Sequence, residues 1–220
     1  VAWCPRCETA ISQHEMLTED YKELTHDSIY LAFPVTGQTD EYLLVWTTTP
    51  WTVPANVAVA VDSDLEYSLV EVDKKKYWVA KEAKDRIFSG VKVREIKTTK
   101  GAKLVGLRYK GAFDDLPKVA ETARNDKFHT VVATDDLILP INTDEGTGMV
   151  HVATSSGSED FRLGKKHNLP VIKVIEDDAT YMQNLGFLSG QNAKKHPEII
   201  LDFLKKENDT DINQLLLRII

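Results

Sequence analysis

Long apolar runs and cysteines are scarce in this 220-residue chain, and its 27 basic residues are outnumbered by 34 acidic ones. No apolar run approaches the ~20 residues that span a bilayer, which argues against a transmembrane segment. The first ten residues lack a basic stretch followed by an apolar one, so they do not have the pattern of a secretory signal. The net charge of −7 argues against a dedicated nucleic-acid-binding protein. A local basic patch or a neighbouring domain can still supply contacts with RNA.

The two cysteines, Cys4 and Cys7, are too few for a disulfide framework in a chain of this length, which favours a reducing cytoplasm. Their C-P-R-C spacing is that of half a zinc site, but tetrahedral zinc needs four ligands and a second pair is missing. Three interpretations stay open: a zinc site completed by residues outside this chain, a redox pair, or a simple turn. The chain does not begin with Met, and a fragment of a larger protein fits the first interpretation best.

The composition, with 42% hydrophobic and 28% charged residues, is that of a globular protein with a sizeable core. Segments rich in β-branched and aromatic residues alternate with turn residues and predict many strands. Because the links are short, a barrel or a strongly curved sheet is expected. The predicted strands are Ile29–Pro34, Tyr42–Thr48, Val57–Val61, Ser68–Val72, Lys76–Ala80, Val91–Thr98, Lys103–Tyr109, Thr130–Ala133, Met149–Ala153 and Val171–Val174.

Helical patterns are fewer and concentrate near the C-terminus. Ser158 is predicted to cap one helix, with Glu159 and Asp160 in its first turn. A single α+β domain over residues 1–220 is the economical interpretation. It comprises an irregular segment 1–28, a β-rich core 29–175 and C-terminal helices 176–220. The predicted helices are Lys81–Phe88, Ser158–His167, His196–Lys206 and an amphipathic helix over Ile212–Ile219.

The first candidate segment for a functional site is LLVWTTTPWTVPAN, residues Leu43–Asn56. A strand stopped by Pro50 directs Thr47 and Thr49 to one face and Thr48 to the other. The two prolines of the segment pin the following loop, which ends at the Asn56 amide. Threonine is also a good strand residue and prolines shape ordinary turns, so this segment alone does not identify a site.

The second segment is DEGTGMVHVATSSGSED, residues 144–160. Gly146-Thr147-Gly148 permits a turn with positive φ, and Met149–Ala153 is a strand with His151 on one face. Asp160 lies at a helix N-terminus, where it makes phosphate binding unattractive and favours a cationic amine. The simpler alternatives are a buried, hydrogen-bonded histidine and a charge that complements the helix dipole.

Familiar nucleophile and phosphate motifs are absent from the sequence: it has no G-x-S-x-G, no H-E-x-x-H and no P-loop. A hydrolase built from these two segments would therefore position a water molecule rather than form a covalent intermediate.

Together, W-T-T-T-P-W-T-x-P-A-N and, about a hundred residues later, G-T-G-x-V-H-x-A followed by G-x-x-D resemble the editing domain of isoleucyl-tRNA synthetase, also called connective polypeptide 1. WCPRCETAIS and YKELTHDSIYLAFPV resemble the same family, so the resemblance covers nearly the whole chain. Val150-His151 points to the isoleucine branch, because the valine and leucine relatives usually lack this histidine. The resemblance implies a compact β-barrel core with peripheral helices.

The resemblance also implies an activity: hydrolysis of the aminoacyl ester of mischarged tRNA(Ile), chiefly Val-tRNA(Ile). Asp160 is expected to hold the α-ammonium group, and His151 to stand near the side chain and the terminal ribose. A ribose hydroxyl of the tRNA is expected to activate water, so editing needs no cofactor. The implied catalytic residues are Thr47, Thr48, Thr49, His151 and Asp160, and the implied substrate-binding residues are Trp51, Asn56, Gly146, Thr147, Gly148, Met149 and Asp160.

The implied partners are the acceptor end of tRNA(Ile) and the remainder of the synthetase in the same polypeptide, which carries the ligase and ATP sites. A monomeric, cytoplasmic fragment without membrane contact is expected. Three alternatives stay open: a valyl- or leucyl-type editing domain, a freestanding deacylase, and a module that binds the acceptor end with hydrolysis reduced or lost.

One departure from the family pattern concerns Thr154-Ser155-Ser156, which stand where the family usually places a proline after V-H-x-A. Without proline a backbone N–H is freed, and the approach to Asp160 is expected to be looser and more polar.

Overall fold

A curved, mixed sheet forms the body of the molecule in the computed structural model, which describes residues 3–16 and 28–208. A separate two-stranded ribbon, β1 and β2, lies near the N-terminus. The strands are β1 Trp3–Cys4, β2 Thr9–Ala10, β3 Ile29–Pro34, β4 Glu41–Thr47, β5 Ala58–Val61, β6 Glu66–Val72, β7 Lys75–Ala80, β8 Arg94–Lys100, β9 Thr130–Ala133 and β10 Met149–Val152. The helices are α1 Gln13–Met16, α2 Lys84–Ile87, α3 Pro117–Thr122, α4 Ser158–His167 and α5 Glu198–Asn208, with 3₁₀ helices at Pro50–Ala55, Gly101–Lys103 and Gly186–Leu188.

The sheet has the order β8-β6-β7-β4-β10-β5-β9, and β3 pairs with β4. Strand β4 pairs in parallel with a different strand at each of its ends. Its residues Glu41–Leu43 pair with β7, and Trp46 pairs with Val150 of β10. The sheet curls as a half-barrel, which confirms the α+β prediction and the curved sheet. The Trp46–Val150 pairing brings the C-terminal end of β4, at Thr47, beside His151.

The core explains why these segments form strands. Every residue of β5 is fully buried, as are Leu43 and Val45 of β4, because both faces of the central strands are covered. Burying one such aliphatic side chain contributes about 1.5–3 kcal/mol before entropy is counted. The β6–β7 hairpin turns at Asp73 and Lys74, both with positive φ, as a two-residue turn with right-handed strand twist requires.

Two predicted strands are absent from the structure. Over 103–109 the chain leaves a 3₁₀ helix and turns at Gly106, whose φ is +90°; only Arg108 and Tyr109 make isolated bridges. A left-handed glycine interrupts the pleat there. Over 171–174 the chain buries Ile172 and Val174 without forming a strand. The Val174 carbonyl accepts a hydrogen bond from the Met182 N–H at 2.9 Å, and Ile175 makes only an isolated bridge with Tyr181. Both stretches were predicted from apolar alternation, which indicates burial without specifying a partner.

The terminal regions agree only in part with their predicted character. The N-terminal segment, expected to be irregular, contains the β1–β2 ribbon and the helical turn α1. Helix α5 follows Pro197 as predicted and packs against the 3₁₀ helix Pro50–Ala55. Residues 176–197 contain one 3₁₀ turn, and the helix predicted over Ile212–Ile219 lies outside the described residues. No helix in the described ranges combines the length and apolarity needed to cross a membrane.

Candidate functional site

Three threonine hydroxyls gather where β4 ends. Thr47 is buried, and its Oγ1 lies 3.2 Å from Thr49 Oγ1 and accepts a hydrogen bond from the Thr49 N–H at 3.1 Å. The 3₁₀ helix that starts at Pro50 places Thr49 and Thr52 on one face, with 3.3 Å between their hydroxyl oxygens. Thr48 points away from this cluster and is exposed, as the alternation of a strand requires.

His151 lies against this threonine cluster. It is 7% exposed, its Nε2 lies 3.0 Å from Thr52 Oγ1, and its Nδ1 lies 2.8 Å from Asn56 Nδ2. Burial lowers the pKa of His151 to about 4. The ring is therefore neutral at pH 7, because the charged form loses its hydration without gaining an anionic partner.

Asn56 is buried against His151. It is 3% exposed, and its amide contacts Ala58 O, His151 Nδ1 and the Tyr109 hydroxyl. Neither Thr52 nor Tyr109 was among the predicted site residues. Thr52 could have been found from its position three residues after Thr49 in a Pro-started helical turn. No local pattern marks Tyr109, which reaches Asn56 from 53 positions away.

Asp160 stands in the first turn of α4. Burial raises its pKa to about 6, partly opposed by a backbone hydrogen bond from Ala153. Ala153 follows β10 directly, so the carboxylate of Asp160 is influenced by the backbone just after the strand that carries His151. The predicted cap is wrong: Gly157 occupies the N-cap, and the Ser158 hydroxyl donates to Glu159 Oε2 at 2.8 Å. A Cβ on Gly157 would stand 2.6 Å from Asp160 Oδ2, so glycine leaves room for the carboxylate.

The Thr154–Ser156 loop is tied down, contrary to the looser approach expected from the missing proline. Thr154 is buried and its hydroxyl donates to Pro170 O at 2.7 Å, while the Ser155 hydroxyl donates to Ile172 O at 2.6 Å. These two side-chain bonds hold the loop against the extended segment 170–172 and replace the rigidity that a proline ring would supply.

The Gly146–Met149 stretch forms a buried turn. Gly148 has φ of +75°, its carbonyl accepts a hydrogen bond from Tyr67 Oη at 2.6 Å, and an added Cβ would lie 2.3 Å from Ala80 Cβ. Thr147 is fully buried, and its hydroxyl donates to Met149 O. The Gly146 carbonyl accepts a hydrogen bond from Arg86. The structure thus gives this stretch a scaffolding position beneath β10.

Trp51, predicted to shape the adenosine side, is half-buried in the 3₁₀ helix. Its carbonyl accepts a hydrogen bond from the Tyr181 hydroxyl at 3.0 Å. This bond links the threonine-bearing loop to the chain before α5.

Cys4 ends strand β1 and Cys7 lies in the turn of the β1–β2 ribbon, both as free thiols. Hydrogen bonds from the backbone of Cys7 and Arg6 lower the pKa of the Cys4 thiol, which suits a metal-binding thiolate. Within the described residues, however, no group of three His, Cys, Asp or Glu could hold a metal ion. Two thiols supply half of a tetrahedral zinc site.

Comparisons with known proteins give sequence relatives but no matching family model. It is 35% identical over 209 residues to the isoleucine–tRNA ligase of Saccharolobus islandicus, covering 94% of this chain. It is 40% identical over 213 residues to the isoleucine–tRNA ligase of Pyrococcus horikoshii, covering 93% of this chain. The chain spans 19% of the length of each relative.

Among solved structures, GlLeuRS-CP1 has the same fold. The TM-score is 0.58 at 13% sequence identity, and the match covers 82% of this chain and 96% of that one. At this level of identity the likeness concerns the fold alone.

Proposed function

Because the chain belongs to the isoleucyl-tRNA synthetase family, as a segment about one fifth the length of its relatives, we propose that it is a single editing domain that hydrolyses the aminoacyl ester of mischarged tRNA(Ile). Val-tRNA(Ile) is the proposed main substrate. Isoleucine exceeds valine by one methylene. The amino-acid pocket of a ligase site distinguishes the two by only about 1–3 kcal/mol. A second site that hydrolyses the wrong product supplies the missing discrimination.

The observation that carries the proposal is the joining of the two sequence segments at one place. His151 contacts the Thr49–Thr52 hydroxyl pair, and Asp160 is bonded to the backbone directly after the same strand. An aminoacyl ester carries an ammonium group and polar oxygens close together, so it needs an anion beside neutral hydrogen-bonding groups. These residues offer that combination.

Each group has a proposed part in the reaction. Asp160 binds the α-ammonium group, since a partly desolvated carboxylate gains most from a cationic partner. Thr47 and Thr49 contact the ester and the attacking water. Thr48, on the other side of the chain, and Trp51 contact the terminal adenosine. Neutral His151 donates a hydrogen bond rather than taking a proton. As the family resemblance implies, a ribose hydroxyl of the tRNA activates water that is held in place by the domain.

The proposed partners are the acceptor end of tRNA(Ile) and the rest of the synthetase in the same polypeptide, in the cytoplasm. The chain is proposed to be monomeric by itself. With a net charge of −7, its own affinity for tRNA is expected to be weak and to fall steeply with salt.

A deacylation assay tests the function. The chain is incubated with Val-tRNA(Ile) and Ile-tRNA(Ile), and loss of the labelled amino acid is followed. Valine should be released well above the buffer rate and isoleucine should be retained. Asp160→Ala should lose about 10–100-fold in kcat/KM, the value of one charge-assisted hydrogen bond. Glu159→Ala is the matched control, because Glu159 is the exposed neighbouring carboxylate of the same helical turn.

Three outcomes would contradict the proposal. Tight binding of Val-tRNA(Ile) without turnover would identify a binding module instead. Preferential release of threonine or norvaline from other tRNAs would identify a valyl- or leucyl-type domain. Equal rates for wild type and Asp160→Ala would refute the role of Asp160.

A further inference from the structure

We infer that Tyr109, acting through Asn56, is a positioning residue that fixes His151 in its Nε2–H tautomer, so that this histidine offers the site a hydrogen-bond donor. The consequence for ester hydrolysis rests on the proposed function, but the tautomer itself does not. Each step follows from which atoms in the network can only donate or only accept.

The orientation of the Asn56 side chain is set by two contacts. The Ala58 carbonyl is only an acceptor, so the amide atom 3.0 Å from it must be the NH₂ group. The Tyr109 hydroxyl then donates to Asn56 Oδ1 at 2.6 Å on the other side of the amide. A flipped amide would place its oxygen against the Ala58 carbonyl, which has no hydrogen to donate, and would lose that bond.

This orientation decides the protonation of His151. Asn56 Nδ2 is only a donor and lies 2.8 Å from His151 Nδ1, so Nδ1 must accept and carries no hydrogen. In a neutral imidazole the hydrogen then sits on Nε2, which points at Thr52 Oγ1 at 3.0 Å. The Thr52 hydroxyl donates a hydrogen bond to Thr49 O at 2.9 Å, so its oxygen is free to accept one from His151. Every bond from Tyr109 to Thr49 has a consistent direction.

Tyr109 is held by a buried stack of aromatic rings. Its ring stacks on Phe33 at 5.1 Å and on His129 at 4.6 Å, and His129 stacks in turn on Phe128 at 3.7 Å. The backbone adds to this: the Tyr109 N–H donates to His129 O, and His129 has a left-handed φ of +52°. A non-glycine residue in that conformation persists only where its surroundings hold it.

His129, with Asp114 beside it, contacts the main chain of Asn56. His129 Nε2 faces the Asn56 carbonyl at 3.3 Å, and its Nδ1 lies 3.4 Å from Asp114 Oδ1. Asp114 Oδ2 accepts the Gly111 N–H at 2.9 Å, whereas Oδ1 is buried without a hydrogen bond. This contact braces the backbone of Asn56 from the side opposite its amide.

The fixed tautomer limits what His151 can do. A donor Nε2–H can hold an oxygen of the substrate, such as the ester carbonyl or a ribose hydroxyl. It cannot remove a proton from water, because its one lone pair on nitrogen is occupied by Asn56. Substrate can take this donor without breaking the rest of the network, since the Thr52 hydroxyl keeps its bond to Thr49 O.

The tautomer can be read directly by ¹⁵N NMR on the 220-residue chain labelled at histidine. The expected signature for His151 is an unprotonated Nδ1 and a protonated Nε2. A protonated Nδ1 would overturn the inference. Because this measurement needs no tRNA, it remains decisive even if the chain proves to have no deacylase activity.

Tyr109→Phe tests the positioning role, because it keeps the stacked ring and removes only the hydroxyl. Only the Ala58 carbonyl is then left to orient the Asn56 amide, so the His151 signals should show an added fraction of the Nδ1–H tautomer. The kcat for Val-tRNA(Ile) should fall about tenfold, with KM changing much less, as one buried hydrogen bond is lost. Tyr77→Phe is the control: Tyr77 is a buried tyrosine stacked on Tyr42 and takes no part in the chain of bonds to His151. It should leave both the spectrum and kcat unchanged.

An unchanged tautomer together with unchanged kcat in Tyr109→Phe would overturn the role of Tyr109. Should that variant fail to fold, Asn56→Asp provides a second test, since a carboxylate at this position accepts from His151. It should move the hydrogen onto Nδ1, and retention of an unprotonated Nδ1 would refute the inference.

Discussion

Replacing Asp160 by asparagine should stabilise the fold while removing the proposed amine-binding charge. The carboxylate is partly buried, and none of the ion pairs in the described part of the chain includes it. Asparagine keeps the size and can still accept the hydrogen bond from the Ala153 backbone. The variant therefore removes the cost of desolvating a charge and little else.

The size of the effect follows from the pKa. The pKa of Asp160 rises from 3.8 to about 6, and each pKa unit corresponds to about 1.4 kcal/mol, which sets an upper bound of about 3 kcal/mol. Partial exposure reduces this value, and the lost attraction between the carboxylate and the helix N-terminus subtracts about 0.5–1 kcal/mol. We expect a net gain of about 1–2 kcal/mol, which in a chain of this size raises the Tm by about 2–8 °C.

The direction of the pKa shift determines how the stability contributed by Asp160 changes with pH. Because the folded-state pKa of Asp160 lies above the unfolded value, the protonated carboxyl favours the fold. That stabilisation is complete below pH 3.8 and is lost as the pH rises through about 6. Asparagine resembles the protonated form at every pH. The difference in unfolding free energy between variant and wild type should therefore vanish below pH 4 and be fully developed above pH 7.

Urea unfolding of both proteins from pH 4 to 8 measures this difference. Glu159→Gln serves as control: hydrogen bonding to Ser158 lowers the pKa of Glu159, so removing its charge should not stabilise the chain at pH 7. An Asp160→Asn variant that is less stable than wild type at pH 7, or whose difference does not change with pH, would refute the reasoning.

Two further variants test the scaffold. Gly148→Ala should destabilise the chain by about 2–4 kcal/mol, because the site combines a φ of +75° with a Cβ only 2.3 Å from Ala80 Cβ; an unchanged urea midpoint would contradict this. Thr154→Val keeps the side-chain shape but leaves Pro170 O without its donor. It should cost about 1–3 kcal/mol and increase amide hydrogen exchange in the 153–157 loop, whereas unchanged exchange there would mean that the hydroxyl does not hold the loop.

The sequence predicted those parts of the fold and site in which the physics is local. Strands such as Ile29–Pro34 follow from residue types and spacing. The strand predicted over Lys103–Tyr109 failed because apolar residues there are buried by turns around Gly106 rather than by pairing. Apolar alternation reports that a residue is buried, while the neighbouring strand is chosen by contacts far along the chain.

The same distinction holds within the site. The threonine run was visible as a motif, but the burial of Asn56 was not. Asn56 is buried because it contacts Tyr109 and His151, which lie 53 and 95 positions from it in the sequence. The expectation of a loose loop failed for a related reason: the hydroxyls of Thr154 and Ser155 find carbonyl acceptors on a segment 16 and 17 residues away. A side-chain hydroxyl in a sequence does not reveal its acceptor.

The pKa shifts of His151 and Asp160 determine the charges that these two residues carry at pH 7. Burial keeps His151 neutral and makes the negative charge of Asp160 costly at pH 7. A neutral His151 adds no positive charge to the site, so an incoming ammonium group meets no repulsion from it. The network from Tyr109 to His151 thus supplies a hydrogen bond to the substrate without adding such a charge.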